Sequence, residues 1–138
     1  MCVYSASAGG AVYSWGSNAD GQLGHNDGLD HVEPTRITAL DGRNVAQVAA
    51  GCDHCLCMTV SGDVFCWGSD KLGQLGLGEG MRQMSNFQQT APRALVAFKQ
   101  KVIYEIAAGY GHGIARTDIN ELWSWGLGTR GQLGLGRT

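Results

Sequence analysis

The densest group of metal-ligating side chains in the sequence is a run of cysteines around one histidine. Cys52, Cys55 and Cys57 flank His54 within six residues, and thiolates and imidazoles are the usual ligands of zinc. A closed zinc site needs four ligands in tetrahedral geometry, and no second Cys/His pair is spaced to complete this one. We therefore predict no metal site and interpret the cysteines as small side chains buried on a packed strand.

Nucleophilic catalysis and phosphate binding are the other chemistries that these residue types suggest. A nucleophilic Cys–His pair needs both side chains within hydrogen-bond reach, but neighbours on a strand point to opposite faces. The glycine-rich run at 76–80 is not followed by the Gly-Lys-Ser/Thr of a phosphate-binding loop. We therefore expect no catalytic residue, no cofactor and no enzymatic activity.

An internal repeat determines which elements hold these residues. Trp-Gly followed by Gly-Gln-Leu-Gly occurs three times, and the intervals between Trp15, Trp67 and Trp125 are 52 and 58 residues. Ala-Ala-Gly-x-x-His also recurs after 58 residues, ending at His54 and His112. Self-similarity at a fixed period identifies a repeat protein. The repeats are delimited as a partial repeat at 1–53, a whole repeat at 54–111 and a partial repeat at 112–138.

Short apolar segments separated by Gly-, Asp- and Asn-containing turns predict strands. The second repeat has four such segments, at Cys55–Val60, Val64–Trp67, Arg93–Ala97 and Val102–Ala107. No stretch shows sustained helical periodicity. Four strands in a period of this length predict an all-β fold of β-propeller blades, each of four antiparallel strands. Because there are only about two and a half repeats, we expect an incomplete propeller and a fragment of a larger protein.

The repeated motif residues suit packing and turns better than binding. A tryptophan at a strand end seals one blade against the next, and the glutamine amides satisfy backbone groups of the glycine-rich turns. A histidine present at the same place in successive repeats is more often a hydrogen-bonding group than a contact for a partner. The predicted structural motif residues are Trp15, Trp67, Trp125, Gln22, Gln74, Gln132, His54 and His112.

Together, Ala-Ala-Gly-x-x-His, Gly-x-Val-x-x-Trp-Gly and Gly-Gln-Leu-Gly resemble the regulator-of-chromosome-condensation repeat, over nearly the whole chain. The resemblance implies blades of a seven-bladed propeller. In the nucleotide-exchange members, His and Asp side chains on one propeller face contact the Ran GTPase, and the resemblance matches Asp53 and His54 to such positions. The Gly-Trp-Arg-His-Thr signature of the family's plant ultraviolet-B photoreceptor is absent, which disfavours light sensing.

Composition and charge narrow the class of protein further. The 138 residues carry a net charge of −2 with both signs intermixed, which does not indicate direct nucleic-acid binding. There is neither a membrane-spanning apolar run nor a signal peptide. The five cysteines are odd in number and mostly lie in one repeat, so reduced thiols are expected. These features predict an intracellular protein of the cytoplasm or nucleus.

One loop departs from the repeat. The stretch 80–90 carries apolar and basic side chains on a polar background, and it is either a partner-binding loop or a loop folded back on its own blade. The candidate partner-binding residues are Met81, Arg82, Met84 and Phe87. Its shorter counterpart, His25–His31, predicts only a solvated turn.

The function that these features predict is that of a protein-interaction scaffold. The alternative is a guanine-nucleotide exchange factor for a small, Ran-like GTPase. The expected partners are proteins, with a small GTPase among the candidates, and self-association through open blade edges is also expected.

Overall fold

The computed structural model describes the backbone of residues 2–6 and all atoms of residues 10–71, 74–76, 88–95, 98 and 101–126. Within these ranges the regular secondary structure is almost entirely β-strand. The strands are β1 Cys2–Ala6, β2 Val12–Gly16, β3 His31–Arg36, β4 Val45–Ala50, β5 His54–Thr59, β6 Val64–Ser69, β7 Gln88–Ala94, β8 Ile103–Ala108, β9 His112–Thr117 and β10 Leu122–Gly126, with a short 3-10 helix at Thr38–Leu40. The predicted all-β fold is confirmed.

The strands form three antiparallel sheets in chain order. The first sheet is β1-β2-β3, the second is β4-β5-β6-β7 and the third is β8-β9-β10. The second sheet has the four strands predicted for a blade. The sheets are offset by one strand from the repeats as the sequence delimits them, because β8 of the repeat at 54–111 pairs with β9 of the following one. Each repeat therefore links two sheets.

Strand β7 begins at Gln88, upstream of the predicted start at Arg93. Its first residues are polar and half-exposed, so the apolar pattern marked only the end of the strand. Pro92 lies in β7 and Pro34 lies in β3, and both strands are edges of their sheets. Proline lacks the N–H that a central strand would need, and an edge strand tolerates its absence.

Two hydrophobic cores fill the spaces between the three sheets, and β5 and β6 contribute to both. Successive side chains on a strand point to opposite faces. Cys55 and Cys57 pack in the core toward the first sheet, with Phe65 and Trp67 beside them. The intervening residues pack in the core toward the third sheet, and these are Leu56, Met58, Val64 and Cys66. Consequently every residue of β5 and β6 is buried.

No helix in the described ranges is long and apolar enough to cross a membrane.

Candidate functional site

Each described joint between sheets pairs a tryptophan with a glutamine from the preceding sheet. Trp67 donates its indole N–H to the carbonyl oxygen of Gln22 at 2.9 Å, and Trp125 donates to that of Gln74 at 2.8 Å. Trp67 is fully buried, and a buried indole N–H needs a partner. The hydrogen bond therefore fixes the position of the glycine-rich turn against the next sheet.

The glycine that ends each of these turns lies against the tryptophan ring. Gly24 and Gly76 have φ angles of 78° and 67°, a region that L side chains rarely adopt. A Cβ on Gly24 would lie 2.9 Å from Nε1 of Trp67, and one on Gly76 would lie 3.1 Å from Cδ1 of Trp125. Both the backbone conformation and the close approach of the ring require glycine here.

A buried polar residue three positions after the tryptophan holds each turn closed. The side-chain oxygen of Asn18 accepts the N–H of Leu23, and that of Asp70 accepts the N–H of Leu75, both at 3.0 Å. The side-chain oxygen of Gln22 accepts the N–H of Asp20 at 2.8 Å. Sequence reasoning missed Asn18 and Asp70. The signal that could have identified them is that each lies three positions after the motif tryptophan.

His54 is completely buried at the start of β5. Its ring occupies the space beside Gly51, where a Cβ would collide with it. Burial lowers the pKa of His54 to about 4, which the carboxylate of Asp53 only partly opposes. Neither ring nitrogen has a hydrogen-bond partner among the described residues. At neutral pH the histidine is thus an uncharged group packed at the start of β5.

The two Gly-x-x-His turns, 51–54 and 109–112, lie side by side, and we call them the rim. The N–H of Cys52 donates to the carbonyl oxygen of Tyr110 at 3.2 Å, and Cys52 Sγ lies 3.6 Å from a carboxylate oxygen of Asp53. Tyr110 is 70% exposed. The hydrogen bond and charge of Cys52, with the charge of Asp53, raise the pKa of Tyr110. Each turn of the rim carries two residues between its glycine and its histidine, and these two residues differ between the two turns.

The stretch His25–His31 is more ordered than the solvated turn that the sequence predicted. His25 Nε2 lies 2.9 Å from Ser14 Oγ, and the rings of His25 and His31 have centroids 4.4 Å apart. Asp27 accepts from the side-chain amide of Asn18 at 2.9 Å. Burial, and then the charge of His31, lower the pKa of His25. This network belongs to the first sheet alone, because the other glycine-rich turns lack these histidines.

The cysteines do not form a metal site in the part of the chain that the structure describes, where no three potential metal ligands cluster. Cys52, Cys57 and Cys66 are free thiols. Cys55 is disulfide-bonded, so the expectation that all thiols are reduced is wrong for this residue. Burial raises the pKa of Cys57 to about 12 and also raises that of Cys66.

The candidate partner-binding residues lie outside the described residues, as does the third motif glutamine. These are Met81, Arg82, Met84, Phe87 and Gln132. The other motif tryptophans and glutamines lie at the joints between sheets, and the two motif histidines lie at the rim. Trp15 is the exception among the described motif residues. Trp15 is half-buried, and no hydrogen bond joins its indole to a described residue.

Solved structures of similar fold identify the architecture to which the three sheets belong. The structure of Prp20p from Saccharomyces cerevisiae superposes with a TM-score of 0.83 at 24% identity, covering 98% of this chain and 33% of that one. Human WBSCR16 superposes with a TM-score of 0.79 at 29% identity, covering 89% of this chain and 30% of that one. These similarities confirm that the sheets are propeller blades.

Relatives in sequence are longer proteins of several kinds. The ultraviolet-B receptor UVR8 of Arabidopsis thaliana is 37% identical over 134 residues, which cover 97% of this chain and 29% of the receptor. The E3 ubiquitin-protein ligase HERC2 of Homo sapiens is 37% identical over 132 residues, covering 94% of this chain and 3% of the ligase. The chain thus spans less than a third of the length of these relatives.

Family models of one repeat match most of the chain. The regulator of chromosome condensation (RCC1) repeat matches residues 9–58 and 61–116, and a second model of this repeat matches residues 45–74 and 103–132. The predicted resemblance is confirmed, and the chain belongs to the regulator of chromosome condensation repeat family.

Proposed function

We propose that this chain is a protein-interaction scaffold, part of a larger propeller protein, whose rim contacts a partner protein. The observation that supports this is the contrast between constant and variable positions in the rim. Gly and His recur at the two ends of each turn, whereas the residues between them differ, being Cys52 and Asp53 in one turn and Tyr110 and Gly111 in the other. Variable loops on a rigid frame are where binding residues concentrate.

The frame beneath the rim is held rigidly by one glutamine side chain. Gln47 Nε2 donates to the carbonyl oxygen of Ile106 at 3.1 Å, and Gln47 Oε1 accepts the N–H of Ile106 at the same distance. This pair of hydrogen bonds ties β4 to β8, the strands that lead into the two rim turns. A surface held in this way loses little conformational entropy on binding.

Tyr110 is the rim residue best suited to anchor a partner. It is the large aromatic side chain of the rim and is mostly exposed, and tyrosine is enriched among residues that dominate binding energy. The proposed role requires no catalytic group, and we place the protein inside the cell, in the cytoplasm or nucleus. The candidate loop with Met81, Arg82, Met84 and Phe87 would add a second contact.

Quantitative capture from cell extract tests the scaffold proposal. The wild-type chain is compared with Tyr110→Ala and with Tyr104→Ala, which removes a tyrosine of similar exposure from β8, 64% against 70%. We expect at least one captured protein to fall by about tenfold with Tyr110→Ala and to be retained by Tyr104→Ala. If every captured protein is independent of Tyr110, the rim is not the binding surface.

Guanine-nucleotide exchange is the second candidate function. Prp20p binds Gsp1p and histones, but at this identity the likeness of the two proteins extends to the fold alone. Of the two residues matched to GTPase contacts, His54 is buried, whereas Asp53 is half-exposed on the rim. Release of labelled nucleotide from Ran-type GTPases tests this function. Acceleration that is lost in Asp53→Asn would support exchange, and no acceleration would exclude it for the GTPases assayed.

A further inference from the structure

A small cavity opens at the end of the second sheet that lies opposite the rim. Arg43 precedes β4, which runs toward the rim turn at 51–54, and Asp63 lies in the turn that joins β5 to β6 at the same far end. The second sheet is packed between the first and third sheets, so the cavity belongs to a complete four-stranded blade. Its volume is about 290 Å³, and the residues that line it include Arg43, Asp63, Val64, Phe65, Leu95 and Phe98.

Two opposite charges line this cavity without pairing. The guanidinium carbon of Arg43 lies 5.3 Å from the centroid of the Phe65 ring, and no ion pair joins Arg43 to a described residue. The carboxylate of Asp63 accepts from the hydroxyl of Ser61 at 3.3 Å and forms no ion pair within the described ranges either. Stacking on an aromatic ring restrains a guanidinium and leaves its N–H groups free to bind a carboxylate.

The next repeat shows the closed form of this arrangement. At the same three positions, 58 residues further on, it holds Lys101, Glu121 and Trp123. Lys101 Nζ lies 4.9 Å from the centroid of the Trp123 ring and 3.3 Å from a carboxylate oxygen of Glu121. The second sheet keeps the cation over the ring, but its own carboxylate does not reach the cation. Its guanidinium is therefore available to a carboxylate from another molecule.

We propose that this cavity receives a segment of a partner protein in which an apolar side chain lies beside an aspartate or glutamate. The apolar side chain packs against Leu95 and Phe98, which are part of the hydrophobic core, and the acidic side chain pairs with Arg43. Ligand pockets usually have volumes of about 300–1,000 Å³, so a cavity of this size suits one side chain better than a cofactor. Asp63 on its wall and the net charge of −2 disfavour a polyanion such as nucleic acid.

Selection from a library of random peptides displayed on phage tests the proposal. The peptides are joined to the phage through their C-termini, so that any carboxylate selected comes from a side chain. Those that bind the 138-residue chain and its Tyr110→Ala variant equally are kept, which removes peptides that depend on the rim. We expect them to share an apolar residue next to Asp or Glu. Selection on Arg43→Glu should instead enrich an apolar residue next to Lys or Arg, and this reversal would also show that the variant is folded.

Fluorescence anisotropy with a selected peptide measures the apolar and the charged contact separately. Replacing the peptide's apolar residue by Ala should weaken binding at least about tenfold, and Arg43→Gln should weaken it about fivefold. Lys101→Gln is the matched control, because that cation is already paired with Glu121, and it should leave the affinity unchanged.

Three results would overturn the proposal. They are the absence of any enriched peptide, enrichment without a preference for an acidic residue, and equal losses of affinity in Arg43→Gln and Lys101→Gln. None of them bears on the proposed contact at the rim, because the cavity lies at the opposite end of the sheet.

Discussion

The indole N–H of Trp67 and the carbonyl oxygen of Gln22 lie 2.9 Å apart across the boundary between the first and second sheets. The two residues are 45 positions apart in the chain. Trp125 and Gln74 repeat the contact one sheet further on. The glycine-rich turn of each sheet is therefore an attachment point for the next sheet, and the stability of the joints depends on the few residues that hold these turns in place.

The first prediction separates the two reasons for glycine at the end of the turn. Gly24→Ala should lower the free energy of unfolding by about 3 kcal/mol, because it combines an unfavourable φ with a collision at Trp67. Gly42 has a φ of 77° but open space around it, so Gly42→Ala should cost only about 1 kcal/mol. Gly28 has neither constraint, and Gly28→Ala should be neutral. Denaturant unfolding of the three variants measures these differences, and equal losses would show that neither constraint operates.

The second prediction concerns the glutamine that ties β4 to β8. Gln47→Glu removes the donor to the carbonyl oxygen of Ile106 and introduces a charge at the joint, which should cost about 2 kcal/mol. Glu105→Gln at the equivalent position of the third sheet changes an exposed side chain and should alter stability by less than about 0.5 kcal/mol. Equilibrium unfolding at a fixed low protein concentration compares them. A Gln47→Glu variant as stable as wild type would show that the amide does not join the strands.

The third prediction is a dependence of stability on pH. The pKa of His54 is lowered from 6.5 to about 4 by burial, so between these values the unfolded chain binds a proton that the folded chain does not. Stability should therefore fall as the pH falls from 6.5 toward 4, by about 3 kcal/mol from this group. His54→Asn should flatten the profile in that window. A profile with the same slope in the variant would exclude His54 as its cause.

The fourth prediction is that the free thiols differ in reactivity. Cys57 and Cys66 are fully buried, with pKa values raised by burial, whereas Cys52 lies half-exposed on the rim. Because the thiolate is the reactive form, alkylation of the folded protein at neutral pH should modify Cys52 first. Cys57 and Cys66 should react only after denaturation. Mass spectrometry of digested protein assigns each adduct, and early labelling of Cys57 would show that β5 opens readily.

The sequence predicted the blades because the tryptophan and glycine motifs recur at long intervals that local composition does not produce. It also predicted buried cysteines on a packed strand, and Cys55 and Cys57 are buried in one core on the same face of β5. The role of Gln22 at the joint was harder to foresee, because the contact with Trp67 uses the backbone carbonyl, which every residue has. The start of β7 at Gln88 was missed for a related reason, since a half-exposed edge strand carries little apolar pattern.

Residues that act across sheets were the least predictable from sequence. Gln47 and Ile106 are 59 positions apart, and they meet because β4 and β8 lie side by side in neighbouring sheets. The packed histidines of the first sheet likewise depend on Ser14 and Asn18, which come from a strand and a turn well before them. Such contacts depend on tertiary geometry, and no local spacing indicates them.

The most direct test of the central claim compares two tryptophans at the same motif position. The indole N–H of Trp67 donates to the carbonyl oxygen of Gln22, whereas that of Trp15 has no partner among the described residues. Substitution by Phe removes the indole N–H at either position, but only Trp67→Phe breaks a described hydrogen bond between sheets. At a low protein concentration, the free energy of unfolding should fall by about 2–3 kcal/mol in Trp67→Phe, which removes the N–H that the buried Gln22 carbonyl oxygen accepts from across the joint. It should change by less than about 1 kcal/mol in Trp15→Phe. Equal losses in the two variants would contradict the claim that the tryptophan–glutamine pair joins the sheets.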